Sequence, residues 1–249
     1  MGADVTVLLV DKRETRIRSM FNHIAPSYDL LNHLLSLNVD RYWRWRTTRL
    51  VPPSGTGPIL DLCTGTGDLA LAYDRAARGR VPIVGADFCH EMLRLASDKS
   101  RRKKSAERIR FLEADAQKLP FPDDTFQITC VAFGLRNVTD TDRGIAEMTR
   151  VTRPGGKVAI LEFSQPRGWP FGPLYRYYFR NILPLIGQLI SRSKHEAYRY
   201  LPQSVMEFPD GEAFADRLRQ HGLIDVHRYP LTFGIATLYV GTKNLPLAA

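Results

Sequence analysis

From Ile59 onward, short apolar runs alternate with longer amphipathic ones, and this alternation constrains the fold more than any other feature. "PILDLC", "VPIVGADF", "IRFLEA", "FQITCVAF" and "KVAILEF" read as strands. Between or beside them, "DLALAYDRAAR", "HEMLRLASDKSRRKK" and "TDRGIAEMTRV" read as helices. Strands separated by helices imply βαβ units and a doubly wound, mostly parallel sheet. The turn "RPGG" (153–156) stops one helix, because proline removes a backbone donor and glycine accepts positive φ. At the other end, "IDVHRYPLTFGIATLYVGTK" reads as a C-terminal antiparallel hairpin bent at Thr232–Gly234.

A chain of 249 residues, 44% hydrophobic, has enough apolar material for one domain spanning 1–249. Two stretches stand outside the alternation. Residues 12–50 hold "MFNHIAPSYDLLNHLLS" and "RYWRWR", and residues 168–209 form an aromatic-rich insertion. Both read as helical lids over the carboxyl edge of the sheet, where open α/β proteins bind ligands.

The segment "ILDLCTGTGDLALA" (59–72) joins the first strand to the first helix through glycine. Residues 65–70 fit G-x-G-x-x-[GA], and Asp87 follows about 20 residues later, where a ribose-binding acid belongs. The pattern fits a dinucleotide or S-adenosylmethionine, and a glycine turn needed only for its own geometry would look alike. Asp61 decides for the methyl donor: a fixed anion there would repel a pyrophosphate but attract the cationic amino-acid end of S-adenosylmethionine. In "FLEADAQKLPFPDDTF", Asp115 and the Ala116 amide are placed to meet an adenine, although Asp115 alone would also suit a turn. The candidate donor-binding set is Asp61, Gly65, Thr66, Gly67, Asp87, Phe88, Asp115, Ala116 and Ala132.

"DLCTGTGD", "GADFCHEML", "ADAQKLPFPDDTF", "FGLRNVTD", "RVTRPGGKVAILEFSQP" and "YRYLPQSV" occur in this order. Together with "MFNHIAPSYDLLNHLLSLNVDRYWR", they closely resemble the ubiquinone/menaquinone biosynthesis C-methyltransferase family, over about residues 12–243. The resemblance implies a class I methyltransferase fold with S-adenosylmethionine as donor, and places Thr66, Asp87, Asp115 and Ala116 at its binding positions. The chain departs from common family choices at Thr64, where glycine or alanine is frequent, and at Cys89, where serine is. The implied reaction methylates a ring carbon of a prenylated quinol, demethylmenaquinol first and the ubiquinone-pathway benzoquinol as the alternative. "YRYLPQSV" with "EFPDGEAF" leans toward the menaquinone members.

A neutral phenol is a poor carbon nucleophile, so the site must help remove a hydroxyl proton and hold both reactants in attack geometry. No metal is required. Arg136 and Asn137, after the fourth strand, are the first candidates. Arg136 would stabilise a phenolate or polarise a water, the competing roles being an ion pair with an acid such as Asp29 and, for Asn137, a helix cap. Tyr28 would position the ring, and Asp29 would accept the proton or orient the arginine. His23 and His33 titrate in the right range but stay outside the primary set.

The formal charge of +9 is compatible with nucleic acid, an anionic membrane or solubility alone. The basic run "SDKSRRKKSAER" lacks interleaved aromatics and reads as a solvated helix end, so no nucleic acid is expected. "FGPLYRYYFRNILPLIGQLI", with Arg176, Arg180 and Arg192 in or near it, could line a channel for a hydrocarbon tail, touch a membrane transiently, or simply pack as an amphipathic helix. A homodimer through this insertion is also open. Cys63, Cys89 and Cys130 form no C-x-x-C pair, and no apolar run reaches about 20 residues. The expectation is therefore a cytoplasmic protein, peripheral on the inner face of the membrane, with no resident metal; the N-terminal M-G-x-x-x-T is read as accidental rather than as a myristoylation signal. A non-catalytic donor-binding partner of a quinone-pathway assembly is the reading from a different class.

Overall fold

The structure, a computed structural model, describes residues 14–25, 29, 36, 38–166, 168, 172–173, 200 and 203–245. A seven-stranded sheet has the order β3-β2-β1-β4-β5-β7-β6. Its strands are β1 (Ile59–Leu62), β2 (Ile83–Asp87), β3 (Ile109–Glu113), β4 (Phe126–Ala132), β5 (Thr152–Phe163), β6 (Leu223–Leu231) and β7 (Ala236–Lys243). The first five run parallel, and β7 lies antiparallel between β5 and β6. The expected hairpin is present, with its bend at Thr232–Gly234.

The helices are α1 (Glu14–Ile24), α2 (Val39–Leu50), α3 (Asp68–Ala76), α4 (His90–Arg102), α5 (Thr141–Val151) and α6 (Glu212–Gln220). The last was not read from the sequence. Strand residues alternate between two cores: Ile59, Ile128 and Leu161 pack with Trp43 of α2 and Tyr73 of α3. On the opposite side, Leu60, Val131 and Ile160 pack with Met148 of α5 and Phe214 of α6. Each such aliphatic side chain contributes about 1.5–3 kcal/mol by leaving water, so this period-two pattern fixes the register against a one-residue slip.

Helix α5 begins where Asp140 accepts the Arg143 N–H at 3.0 Å, as a cap should. The "RPGG" turn lies inside β5, where pairing with β4 jumps from Phe126↔Thr152 to Ile128↔Lys157. Gly155 takes φ +72° there, and a Cβ on Gly156 would stand 2.7 Å from the Arg153 carbonyl oxygen. The described residues of the segment 12–50 include α1 and α2, and most of the 168–209 insertion lies outside the described residues.

Candidate active site

β1 has β2 on one side and β4 on the other, so the chain's winding direction reverses here and a crevice opens beyond the strand ends. A cleft of about 720 Å³, counted to its open mouth, occupies this place. Cys63 and Gly65 line it after β1, Asp87 and Phe88 at β2, Asp115 to Gln117 after β3, and Ala132 to Gly134 with Asn137 after β4. Ile17 and Phe21 of α1 and Met92 of α4 make its apolar wall. Two non-glycine residues of the wall adopt left-handed backbone, Cys63 at φ 49° and Phe133 at φ 60°. Such conformations cost about 1–3 kcal/mol and persist where the surroundings enforce them.

Of the expected donor-binding residues, Gly65, Asp87, Phe88, Asp115, Ala116 and Ala132 all line the cleft. Asp87 accepts the Gly65 N–H at 2.8 Å and the Cys89 N–H at 2.9 Å, which fixes its carboxylate at the floor. Burial raises its pKa to about 6 against these donors. Asp115 accepts the Gln117 backbone N–H at 2.9 Å, so the turn role and the cleft position coincide.

Three members of the set, Asp61, Thr66 and Gly67, do not line the cleft. Asp61, 1% exposed, does not line the cleft; its Oδ2 accepts the Thr64 hydroxyl at 2.6 Å and the Ala70 N–H at 2.9 Å. Burial raises its pKa to about 7, and its two hydrogen bonds brace the turn into α3. Thr66 donates to Asp29 at 2.5 Å and accepts from Lys99 at 2.9 Å. Gly67, at φ +82°, is needed for packing, since a Cβ would meet Ala96 and Phe111 at 3.2 Å.

Asp29 pairs with Lys99 at 2.6 Å, and Lys99 also reaches Asp68 at 2.8 Å. This ties Asp29 of the N-terminal segment to the glycine turn, so its partners here are Lys99 and Thr66 and not Arg136. Arg136 pairs instead with Glu162, at 2.9 Å and with both side chains almost wholly buried. Glu162 also accepts the Arg136 backbone N–H at 3.2 Å, and the guanidinium lies 5.2 Å from the Phe163 ring centroid. Thus the ion-pair role expected of Arg136 is present, with a different acid. Its Nε, the Asn137 Oδ1 and the Tyr200 hydroxyl are buried with no hydrogen-bond partner among the described residues. Asn137 lines the cleft, whereas a helix-cap role falls to Asp140. Tyr28 and His33 lie outside the described residues, as does the His23 side chain.

Sequence reasoning missed Glu162, Cys63, Gln117 and Tyr200. The Cys63 thiol is held neutral, its pKa pushed well up by burial and by the nearby Asp87 and Asp61. Thr64 and Cys89, the two departures, are both used: Thr64 holds Asp61, and the Cys89 Sγ donates to Asn22 at 2.9 Å.

The sequence model of the ubiE/COQ5 methyltransferase family matches residues 9–243. The chain belongs to that family. It is 46% identical over 241 residues to the ubiquinone/menaquinone biosynthesis C-methyltransferase UbiE of Geobacter sulfurreducens, covering 97% of this chain and 93% of that one. It is 47% identical over 226 residues to the demethylmenaquinone methyltransferase of Thermus thermophilus, covering 90% and 100%. Among solved structures, a methyltransferase of Thermotoga maritima superposes with TM-score 0.62 at 15% identity, over 92% of this chain and 100% of that one. The S-adenosylmethionine complex of Haemonchus contortus phosphoethanolamine N-methyltransferase 2 gives 0.60 at 18%, over 81% and 52%. These establish the class I methyltransferase fold, and family membership establishes an S-adenosylmethionine-dependent methyltransferase.

Proposed function

We propose that this methyltransferase moves the methyl group of S-adenosylmethionine to a ring carbon of a prenylated quinol, demethylmenaquinol in preference to the ubiquinone-pathway benzoquinol. The observation that carries the reading is the near-full-length match to relatives named for these two reactions, the second name standing on the Thermus thermophilus protein. The cleft fits the donor: Asp87 presents a carboxylate to ribose hydroxyls, and Asp115 with the Ala116 amide suits an adenine edge. The unpartnered Asn137 Oδ1 is a buried polar atom at the wall awaiting a donor.

The donor supplies an electrophilic methyl on sulfur: the ring carbon forms the new C–C bond, the C–S bond breaks with its pair going to sulfur, and the ring then loses its proton. The chain's own contribution begins with Arg136, whose cation Glu162 and the Phe133 carbonyl hold in one place beside Asn137. Arg136 stands behind Asn137 and does not itself line the cleft; its buried Nε–H, without a partner among the described residues, would act on the acceptor hydroxyl through a water or through its fixed charge, which favours the phenolate over the phenol. Asn137 fixes the hydroxyl's position, and Tyr28, outside the described residues, keeps its proposed role beside the ring. Asp29 becomes a positioning residue through Lys99 and Thr66. Ile17, Phe21 and Met92 exclude water on the side where the ring would rest. A substrate with a hydrocarbon tail places the enzyme's work at the inner membrane surface, reached from the cytoplasm.

The test is transfer from labelled S-adenosylmethionine to reduced demethylmenaquinone and, separately, to the demethylated benzoquinol, with donor binding measured alongside. Faster labelling of the first is expected. Intact donor binding with no product from either quinol would leave the non-catalytic reading in its place.

A further inference from the structure

Helix α2 presents an outward face that the catalytic reading does not use. Arg41, Tyr42, Trp45 and Arg49 fall on one side at helical spacing and are exposed, Tyr42 at 46% and Trp45 at 49%. The two rings lie 5.9 Å apart, and the Arg49 guanidinium stands 5.8 Å from the Trp45 ring centroid. The helix contains one acid, Asp40, which is 3% exposed and bonded to Arg44 and Ser36, so the outward face carries aromatic rings and positive charge only.

The inward side of α2 is anchored at the site. Trp43, 2% exposed, packs 5.6 Å from the ring of Phe133, which lines the cleft. Its Nε1–H donates to Thr232 at 2.8 Å, tying the helix to the hairpin bend that carries Phe233, 67% exposed. The outward face is therefore rigidly placed, about one helix diameter (~10 Å) from the cleft wall.

We propose that this face of α2 is a docking surface for an anionic lipid bilayer. Tryptophan and tyrosine rings favour the headgroup level because one part of each is apolar and the other polar, and arginines beside them gain from the negative surface potential. A protein partner would need complementary acids, and a second copy would set these arginines against each other; the charge favours lipid. Bound this way, the cleft wall rests about 10 Å from the lipid, within reach of a quinol whose tail stays in the membrane. The value of this placement rests on the proposed acceptor, but vesicle binding does not.

The experiment measures co-sedimentation of the full chain with vesicles of phosphatidylglycerol and phosphatidylcholine, or of phosphatidylcholine alone. It compares wild type with Arg41→Ala/Arg49→Ala and Tyr42→Ser/Trp45→Ser. Wild type is expected to prefer the anionic vesicles, and the arginine pair to lose about thirty-fold in partitioning. The aromatic pair should lose binding in both salt-free and salt-containing buffer. All three proteins should methylate a tail-less quinol in solution equally, while transfer to vesicle-held long-tailed quinol falls with binding. Wild-type partitioning in both variants would overturn the proposal, as would no preference for anionic lipid. So would a dimer in solution that these substitutions dissociate. Failure of wild type to methylate the long-tailed quinol, in vesicles or in detergent, would count against the proposed acceptor instead, leaving the vesicle-binding result to stand by itself.

Discussion

The Arg136–Glu162 pair allows structure and chemistry to be separated in one experiment. Both charges are nearly inaccessible, at 8% and 1% side-chain exposure, so either left alone is an uncompensated buried ion. Arg136→Met strands Glu162, which still accepts two backbone N–H groups at 3.2 Å, and should cost about 3 kcal/mol. Glu162→Leu strands the guanidinium and those two amides, and should cost about 4 kcal/mol. With both changes no charge is buried, and the remaining loss is the amides plus imperfect packing, about 4 kcal/mol against a sum of about 7. Urea unfolding of the four proteins measures this, and a single loss of 3–4 kcal/mol should appear as a fall in Tm of about 10 °C. Methyl transfer is read on the same samples with donor binding as control. If Arg136 acts on the acceptor, the double variant recovers stability relative to the sum but remains at least about 100-fold slower. Additive losses would refute the coupling, and recovered activity in the double variant would refute the role in the reaction.

Asp61 has its pKa raised to about 7, so its folded state holds a proton more tightly than the unfolded chain. Its stabilising effect is complete below the unfolded value near 3.8 and is lost as pH rises through about 7, on the order of 4 kcal/mol over that window. Asp61→Asn should lack this slope and gain on wild type between pH 5 and 8 in Tm measurements (about those values); parallel curves would refute it. Asp87, at about 6, accepts ribose hydroxyls more strongly when ionised, so donor affinity in a calorimetric titration should fall as pH drops below about 6 and be flat in Asp87→Asn. Gly134→Ala would set its Cβ 2.3 Å from that of Cys63, and should weaken donor binding and cost about 1–3 kcal/mol, with Cys63→Gly restoring both; no rescue would show that the clash is not with Cys63. Lys99→Met should cost under about 1 kcal/mol in stability, its pairs being partly exposed, yet raise the quinol KM by freeing Asp29; an unchanged KM would remove the lid from acceptor binding.

Much of the frame was legible because period and punctuation are local. The helix "TDRGIAEMTRV" forms at Thr141–Val151 as read, capped by the residue before it, and the hairpin bends where Thr232–Gly234 interrupts the alternation. Helix α6 was not read, since "GEAFADRLRQHG" offers only Phe214, Ala215 and Leu218 as a buried stripe within nine residues. The partner of Arg136 could not be read either. Glu162 lies 26 residues away and meets it only because β4 and β5 pair in the register Ala132↔Leu161.

The acids carry the sharper lesson, because a sequence displays charge but not solvation. Asp61 fits the glycine-site pattern as an anion facing a cationic donor, and the structure adds what the pattern does not carry: two donors and near-complete burial make it the brace of the α3 turn. Asp29 is likewise drawn to Lys99, a pairing across 70 residues that no spacing rule contains. What these acids show is geometry. Asp61 holds the Ala70 amide and Thr64, Asp87 holds Gly65, and Asp29 holds Thr66, so three carboxylates fix three successive residues of one turn. A glycine turn so restrained keeps its backbone in the shape a ligand needs before the ligand arrives, and that reduces the ordering cost of binding. The pattern "LDLCTGTGD" therefore leads to the cleft, with the anions holding the loop and only Asp87 among these three lining the cleft itself.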